Sequence, residues 1–255
     1  MKRPCLSLLS ALITAALLGC SSAYKPADDS GAPQQKTATV TVDKSTAGGV
    51  TGTISFKGKP PKFPAIDMTS DPGCPTAPQP VDVVVVSNGK LANVFVYVKE
   101  GLPPGRFAAT SGPAVLTQKG CSYSPHVLGV MVGQPLKILN EDTAEHNIHS
   151  MSTSNPAFNE SQMPRGEPVT RTFERPEMNV PVECNQHPWM RAYMNVMPHP
   201  YFAVSGSDGT FAIKDLPPGE YTLAAVHEKY GEQTVKINVG PKGNVKADFS
   251  FVPAN

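Results

Sequence analysis

The stretch Cys184-Asn185-Gln186-His187-Pro188-Trp189-Met190 decides how the chain is read. It places a thiol, an imidazole and a thioether within one short loop. Upstream, Glu145-His146-Asn147-Ile148-His149 offers further imidazole. One Cys, two His and a weak Met form the ligand set of a blue-copper electron-transfer site, in which a thiolate and two imidazoles lie in a trigonal plane and the thioether is axial. Such a site must change little between oxidation states, and strand ends are suited to hold its ligands still.

The flanking chain supplies those strands. Val50 to Phe56 alternates at period two and turns at Lys57-Gly58-Lys59-Pro60-Pro61. Val81 to Val86 is a continuous β-branched run, which predicts a buried strand. Asn88-Gly89 predicts a hairpin, and Leu91 to Lys99 returns as its partner. Its Val94, Val96 and Val98 share one face, and Phe95 and Tyr97 share the other. Asp71-Pro72-Gly73-Cys74-Pro75 reads as a turn that leaves Cys74 near the surface. Further strands are expected at Ala114–Leu116, Tyr123–Val132, Leu136–Leu139, Glu167–Glu174, Val182–Cys184 and Met194–Val196. Residues 150–171 read as a polar surface excursion. The 27 Pro and 21 Gly suit short strands joined by turns, so the expected class is all-β.

A net charge of +1 argues against nucleic acid and against a polybasic membrane patch. No Ser/His/Asp constellation, phosphate loop or paired-carboxylate signature stands out, and the expectation is a protein that is not an enzyme. His126, His199 and His227 carry no defensible motif. Glu228 beside His227 is a weak acid/base candidate, because neighbours on a strand face opposite ways.

Lys2 and Arg3 precede an apolar run from Leu6 to Leu18, too short for a mature membrane span. The run ends in Leu17-Leu18-Gly19-Cys20, which resembles the lipobox of bacterial lipoproteins. That resemblance implies a signal peptide at 1–19, lipidation of Cys20 and attachment to the membrane through acyl chains alone. Ser21 in the next position implies the periplasmic side of the envelope and the outer membrane. Residues 20–45 then read as a flexible tether. With Cys5 in the signal and Cys20 acylated, Cys74, Cys121 and Cys184 remain. If Cys184 binds metal, Cys74 and Cys121 are left to pair; any other pairing consumes Cys184 and with it the metal reading.

Two family resemblances follow. Val132/Gly133, Leu136–Asn140 with Asp142, His146-Asn147-Ile148 and Cys-x-x-His-Pro-x-Met at 184–190 together resemble the cupredoxins, most closely the amicyanin type. That resemblance covers about 90 residues of the chain. It implies one type 1 copper ion held by His146, Cys184, His187 and Met190, with Asn147 tying the two ligand loops. It also implies an exposed His187 ringed by Pro188, Trp189 and Pro198, where a redox protein partner would dock. His149 in place of His146, and Met190 as core packing, stay open as alternatives. Asp208-Gly209-Thr210-Phe211 through Leu216-Pro217-Pro218-Gly219-Glu220-Tyr221 resembles the transthyretin-like, carboxypeptidase-regulatory-like β-sandwiches. The expected layout is a discontinuous regulatory-like sandwich at 46–109 and 204–255, with a cupredoxin Greek-key sandwich inserted at 110–203; two consecutive domains, or one fused sandwich, stay open as alternatives. The function expected is a lipid-anchored carrier of single electrons. The rival readings are Cu(I) handling through Met190, Met194, Met197, His187 and His199, and a non-catalytic binding module.

Overall fold

The computed structural model describes residues 38–253. The signal peptide, Cys20 and most of the tether lie outside the described residues. The described chain is all-β, as its alternation and turn residues predict: every regular element is a strand.

Four larger sheets form two sandwiches. In the first, one sheet runs Phe202–Val204, Phe95–Glu100, Gly219–His227, Gly231–Val239. The facing sheet is built on Gly48–Phe56, which pairs antiparallel with Thr210–Leu216 and parallel with Asn244–Lys246 and Phe249–Phe251. Val50, Ile54, Val94, Val96, Val98, Leu223 and Phe251 fill the space between. Burying each side chain of this size contributes about 1.5–3 kcal/mol. In the second sandwich, a sheet of Val169–Arg171, Leu136–Asn140, Ala114–Gln118 and Tyr123–Ser124 faces one of Phe158–Gln162, His146–Ser150, Glu177–Glu183, Arg191–Met197 and Val127–Met131. Its core holds Leu116, Leu128, Val130, Ile138, Ile148, Val182 and Met194.

The alternation at Val94 to Val98 has a double use. The valines enter the first core, while Phe95 and Tyr97 on the other face join Val127, Met197, Tyr193 and Phe202 in a third cluster. That cluster packs the two sandwiches together. His126 adds a polar link, its Nε2 lying 2.9 Å from the Glu228 carboxylate and its Nδ1 3.1 Å from the Arg191 carbonyl. Glu228 therefore partners a histidine of the other sandwich rather than its chain neighbour. His227 is buried against Tyr230 and Phe251, and burial pushes its pKa down to about 4.

The local readings divide. Asn88-Gly89 does make the hairpin, with Val86 opposite Leu91 and positive φ at both turn residues. The β-branched run before it is not a strand. Asp82 and Val83 form a turn, and only Val86–Ser87 pair as a strand. Pro80 precedes the run and Asp82 interrupts it, and composition alone does not supply a sheet neighbour. The predicted strand at 91–99 is broken at Asn93, which adopts φ +60. Residues 150–171 are not a plain excursion. They contain Phe158–Gln162, which pairs along the whole of His146–Ser150, and the short strand Val169–Arg171. Cys74 is not near the surface: it is buried, and with Met68 it belongs to the second core.

Gly129 sits where the sandwiches meet. A Cβ there would lie 2.3 Å from a Phe202 ring carbon and 2.9 Å from Phe95. Gly129→Val is expected to destabilise the chain by about 1–3 kcal/mol through overpacking. A urea-unfolding midpoint unchanged from the wild type would contradict this packing.

Candidate metal centre

The ligand loop closes two neighbouring strands. Glu177–Glu183 and Arg191–Met197 are antiparallel, and Glu183 is the last residue to pair, opposite Arg191. Cys184 to Met190 is therefore the connection itself. The Met190 N–H donates to the His187 carbonyl at 2.8 Å, and the Cys184 N–H donates to the Met190 carbonyl at 3.3 Å. These bonds fold the loop back on its own ends. The strand His146–Ser150 pairs with the other side of Glu177–Glu183, His149 opposite Glu183, which brings the start of that strand to the loop.

His146, Cys184 and His187 converge. All three are buried, with one donor atom from each within 4.8 Å of the others. The two Nδ1 atoms are 3.0 Å apart, and Cys184 Sγ is 3.6 Å from His187 Nδ1. Cys184 is the free cysteine among the described residues, since Cys74 and Cys121 form a disulfide. Met190 is buried in the same core. His149 is outside the cluster, its Nδ1 turned to Asn185 Oδ1 at 3.1 Å.

The outward nitrogens fix the tautomers. His146 Nε2 lies 2.8 Å from Asp142 Oδ2, and His187 Nε2 lies 3.1 Å from Asp71 Oδ2. Each carboxylate accepts from Nε2–H, which in a neutral ring leaves Nδ1 as the lone-pair nitrogen; the two Nδ1 atoms face each other, and that of His187 also faces the thiol. Two lone pairs at 3.0 Å repel unless a proton or a metal ion lies between them. Burial pushes His146 down from the ordinary histidine range, against the opposing pull of Asp142. Asp71 is held below the usual carboxylate range, first by the Gly73 N–H and then by His187. Two imidazoles and a buried thiol suit copper by softness and by ligand type.

Asn147 and Tyr123 hold the two ligand segments together. Asn147 Oδ1 accepts from the Asn185 N–H at 2.6 Å and from Cys184 Sγ at 3.3 Å, while its Nδ2 donates to Asn159 Oδ1 at 2.6 Å. The Tyr123 hydroxyl donates to the Asn147 carbonyl at 2.6 Å and also reaches the Glu183 carbonyl at 3.1 Å. Burial raises the Tyr123 pKa, which keeps that hydroxyl a donor. Nothing in the sequence marks Tyr123 for this role. Nor does it mark Asp71, whose turn lies more than a hundred residues before His187.

The expected docking patch is not formed as predicted. His187 is 2% exposed. Pro188 is exposed, but Trp189 is half-buried and donates its Nε1–H to the Cys121 carbonyl at 3.0 Å. Pro198 follows the far end of Arg191–Met197, away from the loop, so it does not ring His187. Met194 lies inside the second core, Met197 between the sandwiches, and His199 is buried against Phe107 and Tyr201. Met197 and His199 therefore pack among residues other than those around His187.

A family model described as the beta-sandwich domain of ER membrane protein complex subunit 7 matches residues 182–251, less than half of the chain. No curated protein sequence matches. Among solved structures, the chain is similar to a copper-containing nitrite reductase from Thermus scotoductus SA-01, with 23% identity and a TM-score of 0.31. That likeness covers 44% of this chain, and the chain spans only 25% of the reductase. A purple cupredoxin from Nitrosopumilus maritimus is 24% identical, with a TM-score of 0.28, over 32% of this chain and 98% of that one. An oxidized mutant of amicyanin is 23% identical, with a TM-score of 0.31, over 38% of this chain and 99% of that one.

Removing Asn147 leaves the Asn185 N–H without its acceptor in a part-buried position. Asn147→Ala is expected to cost about 1–3 kcal/mol in urea unfolding. An unchanged midpoint would mean that this side chain does not tie the loops.

Proposed function

We propose that the chain is a copper protein that carries single electrons, in which His146, Cys184 and His187 would be the principal ligands and Met190 a weak fourth. The observation that carries this reading is the convergence of two Nδ1 lone pairs and a free, buried thiol on one point. Bound copper would supply a one-electron Cu(II)/Cu(I) couple. The chain's part is to hold the donors rigid. Strand ends fix His146 and Cys184, the loop's own hydrogen bonds fix His187, and Asn147 and Tyr123 stop the two segments from separating. A donor set that does not move keeps the reorganisation on electron transfer small.

The lipobox-like Leu17 to Cys20 supports attachment to the periplasmic face of the outer membrane through acyl chains. The near-neutral charge and the absence of a hydrolytic motif in the sequence support a redox protein as partner rather than a substrate or nucleic acid.

The test is the visible and EPR spectrum of the full chain loaded with Cu(II). The reading predicts an intense thiolate-to-copper absorption and a narrow copper hyperfine splitting, both lost in Cys184→Ser. Colourless, tetragonal Cu(II), or a spectrum indifferent to Cys184→Ser, would overturn it.

A further inference from the structure

The imidazole edge of His187 is covered by a segment from the other end of the chain. Met68 anchors that segment in the second core. The Asp71 N–H donates to the Met68 carbonyl at 3.2 Å, and the Cys74 N–H donates to the Asp71 carbonyl at 3.0 Å. Asp71 Oδ1 accepts from the Gly73 N–H at 2.7 Å, which aims Oδ2 at His187 Nε2. Cys74 Sγ lies 3.6 Å from the same nitrogen. Gly73 rests on the loop before His146, where a Cβ would come within 2.9 Å of the Ala144 Cβ and 3.1 Å of its backbone.

The far end is tied down as well. The Cys74–Cys121 disulfide spans 47 residues and joins the segment to the loop after Ala114–Gln118. There Asp142 Oδ2 accepts from the Cys121 N–H at 2.8 Å, and the same oxygen holds His146 Nε2 at 2.8 Å. The disulfide therefore ties the segment that carries Asp71 to the loop whose Gly120 and Cys121 N–H groups hold the Asp142 carboxylate. Asp71 is itself one-third exposed, whereas His187 behind it is sealed.

We propose that Met68 to Cys74 is a strap that closes the donor cluster to solvent at the His187 edge. Asp71 is the positioning residue for that ring, and the disulfide is the latch that keeps the strap down. Small reagents and chelators reach Cys184 and the imidazoles only when the strap lifts. A protein partner meets the strap, not the bare ring. The inference concerns access to the cluster and does not require that the metal be copper, so its tests use the metal-free chain.

The first test is alkylation of Cys184 by iodoacetamide in the native full chain, followed by peptide mass spectrometry so that other thiols do not interfere. Loss of one charge-assisted hydrogen bond in Asp71→Ala is expected to speed labelling of Cys184 by about tenfold. Asp71→Asn keeps an oxygen acceptor and is expected to stay close to the wild-type rate. Ring 15N spectra should show His187 protonated at Nε2 in the wild type and in Asp71→Asn, and a mixture of tautomers in Asp71→Ala. A purely structural role for Asp71 would not move that tautomer. Equal labelling and an unchanged tautomer in Asp71→Ala would overturn the proposal. Hydrogen exchange in the unmodified chain carries the test if Asp71→Ala does not fold. The Gly73 and Cys74 amides should be protected, and exchange at the rate of open loops would mean that no strap is held down.

Discussion

The centre depends on one constraint: each imidazole gives its Nε2–H to a carboxylate and so has only Nδ1 left to offer inward. Asp142 does this for His146 and Asp71 for His187. Without those partners either ring could flip or change tautomer, and the two lone pairs would move apart to relieve their repulsion. With them, the rings are held with Nδ1 facing Nδ1 beside a free thiol. Carboxylates behind metal-binding histidines orient the ring and raise its basicity. Here the two carboxylates come from separate segments, and the Cys74–Cys121 disulfide ties the Asp71 segment to the loop whose Cys121 N–H donates to Asp142.

The rest of the second sandwich can be understood as support for that geometry. A tight connection between adjacent strands places Cys184, His187 and Met190, and a third strand in the same sheet places His146. Asn147 and Tyr123 lock those two suppliers to each other. Polar side chains continue the lock under the edge strand. Gln162 Nε2 donates to the Ile138 carbonyl at 3.1 Å, and Gln118 Nε2 donates to Gln162 Oε1 at 2.6 Å. Buried polar groups satisfied in this way specify one arrangement, because any slip leaves several of them unpaired. The first sandwich contributes a platform, fixed through the aromatic cluster around Phe95 and Phe202 and through the His126–Glu228 contact.

What could be read in the sequence was whatever is encoded within a few residues. Alternation predicted the all-β class and put Val94, Val96 and Val98 in a core; Asn88-Gly89 predicted its turn; the ligand loop was conspicuous because its donors are adjacent in sequence. What could not be read depends on distant partners. The Val81–Val86 run had strand composition but no sheet position to occupy. Phe158–Gln162 had too few apolar residues to be recognised, since an edge strand is held by backbone pairing and by Gln162. Asp71 looked like an ordinary turn residue, and His187 looked like an exposed ligand, because neither shows in sequence that the first covers the second.

The most direct measurement is copper K-edge X-ray absorption on the full chain in both oxidation states. The account predicts one short copper–sulfur bond and two imidazole nitrogens, with distances that barely change on reduction, and loss of the sulfur in Cys184→Ser. A shell of nitrogen and oxygen alone, or a coordination number that changes between oxidation states, would contradict it.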